Sequence, residues 1–307
     1  MSAAPLLALV GPTASGKSAA AMVLAPALGG EICSVDSMLV YRGMDVGTAK
    51  PSPADRAAVP HHLLDLAEPS ERFTVARFQE LARLAMADIA DRGTRSLLVG
   101  GSGLYLRAVV DQLVFPGEEP AVREELEREA EAAGSERLFA RLEALDPVAA
   151  AKIEAGNVRR IVRALEVPAI TGIPFSRFSA SWDRYDPERM RAAGISIAQP
   201  VLAARIADRV SAMFAAGWLD EVRGLVNRGF GDWLTSTQAI GYSELARHLD
   251  GRLSLEEAWT LTDRRTRNLA RRQMAWFRRD PRIRWFEAGS GGAADVVDEV
   301  RTYLEGA

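Results

Sequence analysis

Residues 11–18 read Gly-Pro-Thr-Ala-Ser-Gly-Lys-Ser, the full G-x-x-x-x-G-K-[ST] spacing of a phosphate-binding loop. The apolar run 6–10 precedes it and the helix-compatible run 19–28 follows. That order commits this stretch to a strand, a glycine turn and a helix N-terminus, where backbone N–H groups and the helix dipole converge on phosphate oxygens. Gly11, Pro12, Thr13, Ala14, Ser15, Gly16, Lys17 and Ser18 then form the anion site. Lys17 reaches the terminal phosphates and the Ser18 hydroxyl ligates Mg²⁺. The loop alone leaves three ligands open: ATP, another nucleotide, or a diphosphate leaving group.

Two further apolar runs, 32–35 and 96–99, are flanked by turn residues, and helical patterns at 19–28 and 75–90 separate the three. Thr74 is placed to cap the second helix. Strands alternating with helices predict an α/β fold, a parallel sheet flanked by helices, with ligands at the carboxyl ends of its strands. The phosphate loop, Asp36 and Gly100-Gly101-Ser102-Gly103 follow the three runs directly. Composition shifts near 115–120, and the segments 122–133, 135–145 and 158–170 carry apolar residues at helical spacing. This predicts a helical insertion over 118–199, within a core formed by 1–117 and 200–307. A short strand is expected at 195–197. Helices are expected from there to the end, at 201–216, 219–227, 243–249, 255–279 and 295–304. Ser254 and Glu257 have capping-box spacing, and 289–292 reads as a flexible glycine loop.

A chain of 307 residues, 48% hydrophobic, suits a soluble globular protein of one large domain or two smaller ones. No apolar stretch approaches the ~20 residues of a membrane span, and the N-terminus lacks signal-peptide organisation. The single cysteine, Cys33, excludes an internal disulfide and any Cys-rich zinc site, and is expected in the core. A cytoplasmic location is the default. The net charge of −3 gives no global attraction to nucleic acid, yet arginine is clustered. One cluster is Arg159, Arg160 and Arg163. The other runs from Arg264 to Arg284 and holds nine arginines. Arginine pairs with phosphate and stacks on bases; a solvated helix face laced with salt bridges gives the same pattern.

Asp36 stands at a strand end near the phosphates. There a carboxylate either binds Mg²⁺ through water, accepts a proton from a nucleophile, or caps a turn. The polar, Gly-containing stretch 36–51, carrying Lys50, is a long loop beside this site, where function concentrates. His61 and His62 are adjacent, so on an extended chain they point to opposite sides and do not share a metal. Arg205 and Arg209 lie four apart on one helical face, as phosphate ligands or as surface charge.

Taken together, these pieces resemble the tRNA dimethylallyltransferases, also called tRNA isopentenyltransferases. The resemblance is carried by GPTASGKS at 11–18, DSMLVYRGMDVGTAKP at 36–51, PHHLLDL at 60–66 and VGGSGLYL at 99–106. It continues through the stretch 157–176, RIADRVSAMFAAGWLDEV at 205–222, QAIGY at 238–242 and TRNLARRQMAWFRR at 266–279. It spans nearly the whole chain in order. It implies a P-loop NTPase-like fold with a helical insertion domain. The implied reaction moves a dimethylallyl group from dimethylallyl diphosphate to N6 of the adenine just 3′ of the anticodon. On the same resemblance, Asp36 is the general base, and Lys17, Thr13 and Arg205 hold the diphosphate with Mg²⁺ at Ser18. Asp36, Ser37, Met38, Leu39, Ser102, Arg123, Arg159, Arg160, Arg163, Gln238, Arg272, Arg278 and Arg279 face the tRNA anticodon stem-loop. A monomer is expected. The chain departs from the family at Leu39, where Gln is usual, and at Ser102, Val158, Pro168 and Ala275. Pro168 is expected to disturb the end of its helix. No C-terminal zinc finger is present, as in the bacterial branch. The alternatives are a P-loop, ATP-binding kinase, a non-catalytic RNA-binding module, and a prenyltransferase acting on free adenine nucleotides. The insertion and the C-terminal arginines favour tRNA.

Overall fold

A computed structural model describes residues 5–179, 182 and 184–306. The chain divides into two compact units, Met1–Asp111 with Asp186–Ala307, and Gln112–Tyr185. Within the first, the described strands are β1 (Leu6–Val10), β2 (Gly30–Ser34), β3 (His61–His62), β4 (Arg95–Gly100), β5 (Met190–Ile197) and β6 (Ile283–Ala288). They form one parallel sheet in the order β3-β2-β4-β1-β5-β6. The expected core and insertion boundaries shift with it. Residues 186–199 return to the first unit because β5 pairs with β1 along its length, Leu6 to Met190 through Val10 to Gly194.

The strands read as near-continuous apolar runs because both faces of the sheet are covered. Ala8 and Val10 enter one core with Cys33 and Leu98, whereas Leu7 and Leu9 enter a second with Ile32 and Leu97. This is the two-residue alternation of a strand sorted onto two faces. Cys33 is fully buried, and burial pushes its thiol up to about 12, so it is a core residue. The first unit begins with helices α1 (Lys17–Ala27), α2 (Pro53–Ala58), α3 (Val75–Asp91) and α4 (Gly103–Val110). Thr74 Oγ1 accepts the Arg77 N–H at 3.2 Å and caps α3.

The second unit holds α5 (Pro120–Ala133), α6 (Ser135–Leu145), α7 (Pro147–Ala150), α8 (Val158–Thr171) and α9 (Phe175–Ser179). They close around Leu126, Leu138, Leu142, Ile161 and Leu165. Pro168 does not break α8. It lies inside the last turn, and the helix ends at Gly172 (φ 69), whose N–H bonds to the Pro168 carbonyl.

The first unit resumes with α10 (Gln199–Ala215), α11 (Trp218–Val226), α12 (Tyr242–Leu249), α13 (Leu255–Phe277) and α14 (Val297–Glu305). The Ser254–Glu257 capping box forms, with bonds of 3.1 and 2.7 Å. The expectation of helices alone after β5 is wrong, because β6 pairs with β5 from Ala192–Ile283 to Ile197–Ala288. Nor does 289–292 hang free: the Ala293 N–H donates to the Ser15 carbonyl at 2.8 Å. The loop is thereby fastened to the back of the phosphate loop.

His61 and His62 form the edge strand β3. His62 Nε2 lies 2.6 Å from Glu31, which Arg92 also grips. The Arg92 hydrogen bonds outweigh burial and hold the Glu31 carboxyl down at about 2. A depressed carboxyl stabilises the fold above its unfolded value near 4.5, and that stability is lost as pH falls through 2. We expect Glu31→Gln to cost about 1–2 kcal/mol at pH 7, after allowing for solvent around Arg92. The difference from wild type should vanish toward pH 2 in parallel urea titrations; a gap independent of pH would rule out the ion pair as its source.

Candidate active site

The phosphate loop joins the end of β1 to α1 through two glycines whose conformations no larger residue fits. Gly11 has φ 147, and a Cβ there would sit 2.7 Å from the Ile195 carbonyl of β5. Gly16 caps α1 at φ 86. Between them Ala14 holds φ 62, a left-handed setting that a β-carbon resists. Three bonds hold the loop in it. The Thr13 N–H donates to Gln273 Oε1 at 2.8 Å, the Ala14 carbonyl accepts Arg205 Nε at 2.8 Å, and the Ser15 carbonyl accepts the Ala293 N–H.

Lys17 is buried, and its Nζ donates to the Pro12 carbonyl at 2.6 Å and to Ser15 Oγ at 3.3 Å. Desolvation, then the nearby positive charge of Arg209, push its ammonium down to about 7, with Asp36 acting the other way. Arg209 is lowered by burial and supported by the same Asp36. Lys17, Arg209 and Asp36 therefore act on one another electrostatically beside the loop. Charges so poorly solvated are stabilised by an incoming anion.

Asp36 follows β2. Its Oδ1 accepts the Met38 N–H at 2.8 Å, which fixes the turn and leaves the second oxygen without a partner among the described residues. Ser37, Met38 and Leu39 are half-buried beside it. The second glycine turn follows β4 and comes to the same place: the Ser102 N–H donates to the Val35 carbonyl at 3.2 Å, one residue before Asp36. Ser18 is exposed at the first turn of α1. No group of three or more His, Cys, Asp or Glu side chains stands together among the described residues. The exposed Ser18 hydroxyl beside the loop N–H groups would fit a divalent cation carried mainly on phosphate oxygens.

Several of the basic residues singled out in the sequence are held by partners within the chain. Arg205 stands at the phosphate loop, with its Nη2 beside Gly16. Its Nε and Nη1 are taken by the carbonyls of Ala14 and Ser290, the latter at 2.7 Å. Arg209, one turn on, is the cation whose charge acts on Lys17, and only its spacing from Arg205 signalled it. Lys50 is structural: its buried Nζ bonds the Tyr41 carbonyl, Asp45 and Asp65 at 2.6 to 2.7 Å. Arg123 and Arg163 both bind the buried Glu166 carboxylate of α8, at 2.5 and 2.7 Å. In the C-terminal arginine run, Arg282 is buried between Asp111 and Asp280. By contrast Arg159, Arg160, Arg272, Arg278, Arg279 and Gln238 are exposed.

A family model described as IPP transferase matches residues 39–280. The chain belongs to that family. It is 52% identical to the tRNA dimethylallyltransferase of Roseiflexus castenholzii, over 91% of both chains. It is 48% identical to that of Nocardioides sp., over 98% of this chain and 97% of the relative. Among solved structures, the full-length tRNA isopentenylpyrophosphate transferase of Bacillus halodurans superposes with a TM-score of 0.72. It is 40% identical, over 99% of this chain and 96% of that one. The IPP transferase chain described here is therefore a prenyl-transfer enzyme by family.

Proposed function

We propose that this chain transfers the dimethylallyl group of dimethylallyl diphosphate to the exocyclic N6 of the adenine 3′-adjacent to the anticodon in tRNA. The observation that carries the chemistry is the meeting of strand ends at the phosphate loop: Lys17 held on the Pro12 carbonyl, and Asp36 in the turn that the Ser102 N–H joins at Val35, with Arg209 and Asp36 both acting on the Lys17 charge. The N6 lone pair forms the new C–N bond as the allylic C–O bond breaks and its electron pair leaves with the diphosphate. Lys17, Arg209 and the loop N–H groups receive that charge, with Lys17 already buried from solvent. Asp36 takes the N6 proton through its unused oxygen; an aromatic amine is a weak nucleophile, and proton removal during attack helps it. Ser18 would hold Mg²⁺ with the phosphate oxygens, and the bound ion would neutralise part of the leaving group's charge.

An adenine stacked in an anticodon loop must be turned out of the stack to reach such a site. We assign backbone and base contacts to Ser37, Met38, Leu39, Ser102, Gln238, Arg272, Arg278 and Arg279, and to Arg159 and Arg160 of the second unit. On the second unit we assign Arg123 and Arg163 to the tRNA as well, through the Glu166 network. The reading takes the protein as a cytoplasmic monomer, a state that sedimentation of the purified chain would report. A kinase on the same loop has no use for the exposed arginines, and the family assignment weighs against it.

The test is incubation of the protein with Mg²⁺, dimethylallyl diphosphate and unmodified tRNA. N6-dimethylallyladenosine should appear at the stated position. Prenylation of AMP but not of tRNA would instead select the free-nucleotide reading. Arg278→Ala should weaken tRNA binding and make the slope of log affinity against log salt shallower by about one. An unchanged slope would remove Arg278 from the phosphate contacts.

A further inference from the structure

Helix α13 lies against both glycine turns. Gln273 Oε1 accepts the Thr13 N–H at 2.8 Å across 260 residues of sequence. A Cβ on Gly101 would collide with Gln273 Nε2, and a Cβ on Gly103 would meet Trp276 Cε3 at 2.9 Å. Gln273 and Trp276 are three residues apart and share one face of the helix. Arg272, the residue before Gln273, is exposed. One amide side chain therefore bridges the first glycine turn to the second, from the helix whose outer side carries arginines.

We propose that Gln273 is a positioning residue for the transfer reaction: it sets the diphosphate-binding conformation of the loop from α13. The inference rests on the function proposed above. Thr13 precedes the strained Ala14. The peptide that carries the Thr13 N–H is held on the α13 side by Gln273, while Arg205 holds the Ala14 carbonyl on the other. With the acceptor gone, that N–H loses the partner that fixes it and the turn that aims Lys17 loosens. The chemistry of the N6 proton, at Asp36, is untouched. The expected signature is a weakened grip on the anion with a smaller change in turnover.

Gln273→Met keeps the side-chain length and removes both hydrogen-bonding groups. It should raise KM for dimethylallyl diphosphate and Kd for inorganic pyrophosphate about tenfold, the effect of one lost hydrogen bond to an ordered group. kcat at saturation should fall by less, and tRNA affinity should hold. Gly101→Ala displaces the same amide from the opposite side and should reproduce the pattern, which covers the case of a poorly folded Met variant. Both are read beside thermal melts. If either well-folded variant keeps the wild-type KM and pyrophosphate Kd, the inference is overturned, while the parent reading stands on wild-type transfer. A wild-type protein that transfers nothing to tRNA overturns both.

Discussion

Lys17→Met should cut dimethylallyl transfer by about 10²–10³-fold, the loss that follows removal of one preorganised donor from a developing anion. The same substitution should reveal what the lysine does to the free protein. In the fold its ammonium is pushed down to about 7 by burial and by Arg209; in the unfolded chain it titrates near 10.5. Between these values the unfolded chain binds the extra proton, so wild-type stability rises with pH across that window. The Met variant lacks this slope. Wild type should therefore gain on it in melts taken from pH 7 to pH 10, and trail it most at the acid end. Binding of pyrophosphate at pH 8 should draw a proton onto Lys17, visible by calorimetry in buffers of different ionisation enthalpy. Transfer within a few-fold of wild type, or binding without proton uptake, would remove Lys17 from the anion site.

The penalty on Lys17 could not be read from residues 11–18, because it comes from the packing that buries the loop and then from Arg209 on α10. What the chain does disclose locally is the set of strand ends. A continuous apolar run ending in a glycine or an Asp-Ser pair identifies β1, β2 and β4, since both faces of a parallel strand are covered. β6 escaped because Arg284 and Glu287 sit within it, on an edge that pairs with β5 alone. β5 was foreshortened to 195–197 because Arg191 and Gly194 interrupt its apolar pattern.

Arginines were the least legible residues. Arg123, Arg163 and Arg282 look like their exposed neighbours in sequence, yet Arg123 and Arg282 are fixed by carboxylates in other segments, and Arg163 by Glu166 one turn along its own helix. Glu166 was the available signal for two of them: a carboxylate between Leu165 and Val167, on the apolar face of α8, needs a cation to be buried there. Gln273 gave no signal of its own, since its partner is a backbone N–H on the far side of the sequence.

Asp36→Asn separates the acid–base role from the anion site most cleanly. Asparagine retains an oxygen that can accept the Met38 N–H, so the turn after β2 should survive. It cannot take a proton from N6, and turnover should fall by about 10²-fold or more. The exchange also removes a negative charge from beside Lys17 and Arg209. KM for the allyl diphosphate should therefore not rise, and pyrophosphate should bind at least as well as it does to wild type. tRNA affinity should stay near normal, because the phosphate contacts that dominate it lie elsewhere. Single-turnover rates with saturating tRNA measure the first effect and calorimetry the second. A loss of pyrophosphate binding equal to the loss of turnover would mean that Asp36 organises the loop. A rate within twofold of wild type would mean that the proton leaves by another route. Only a fall in turnover with the anion site intact is compatible with a carboxylate that waits beside a departing diphosphate for the proton of an incoming amine.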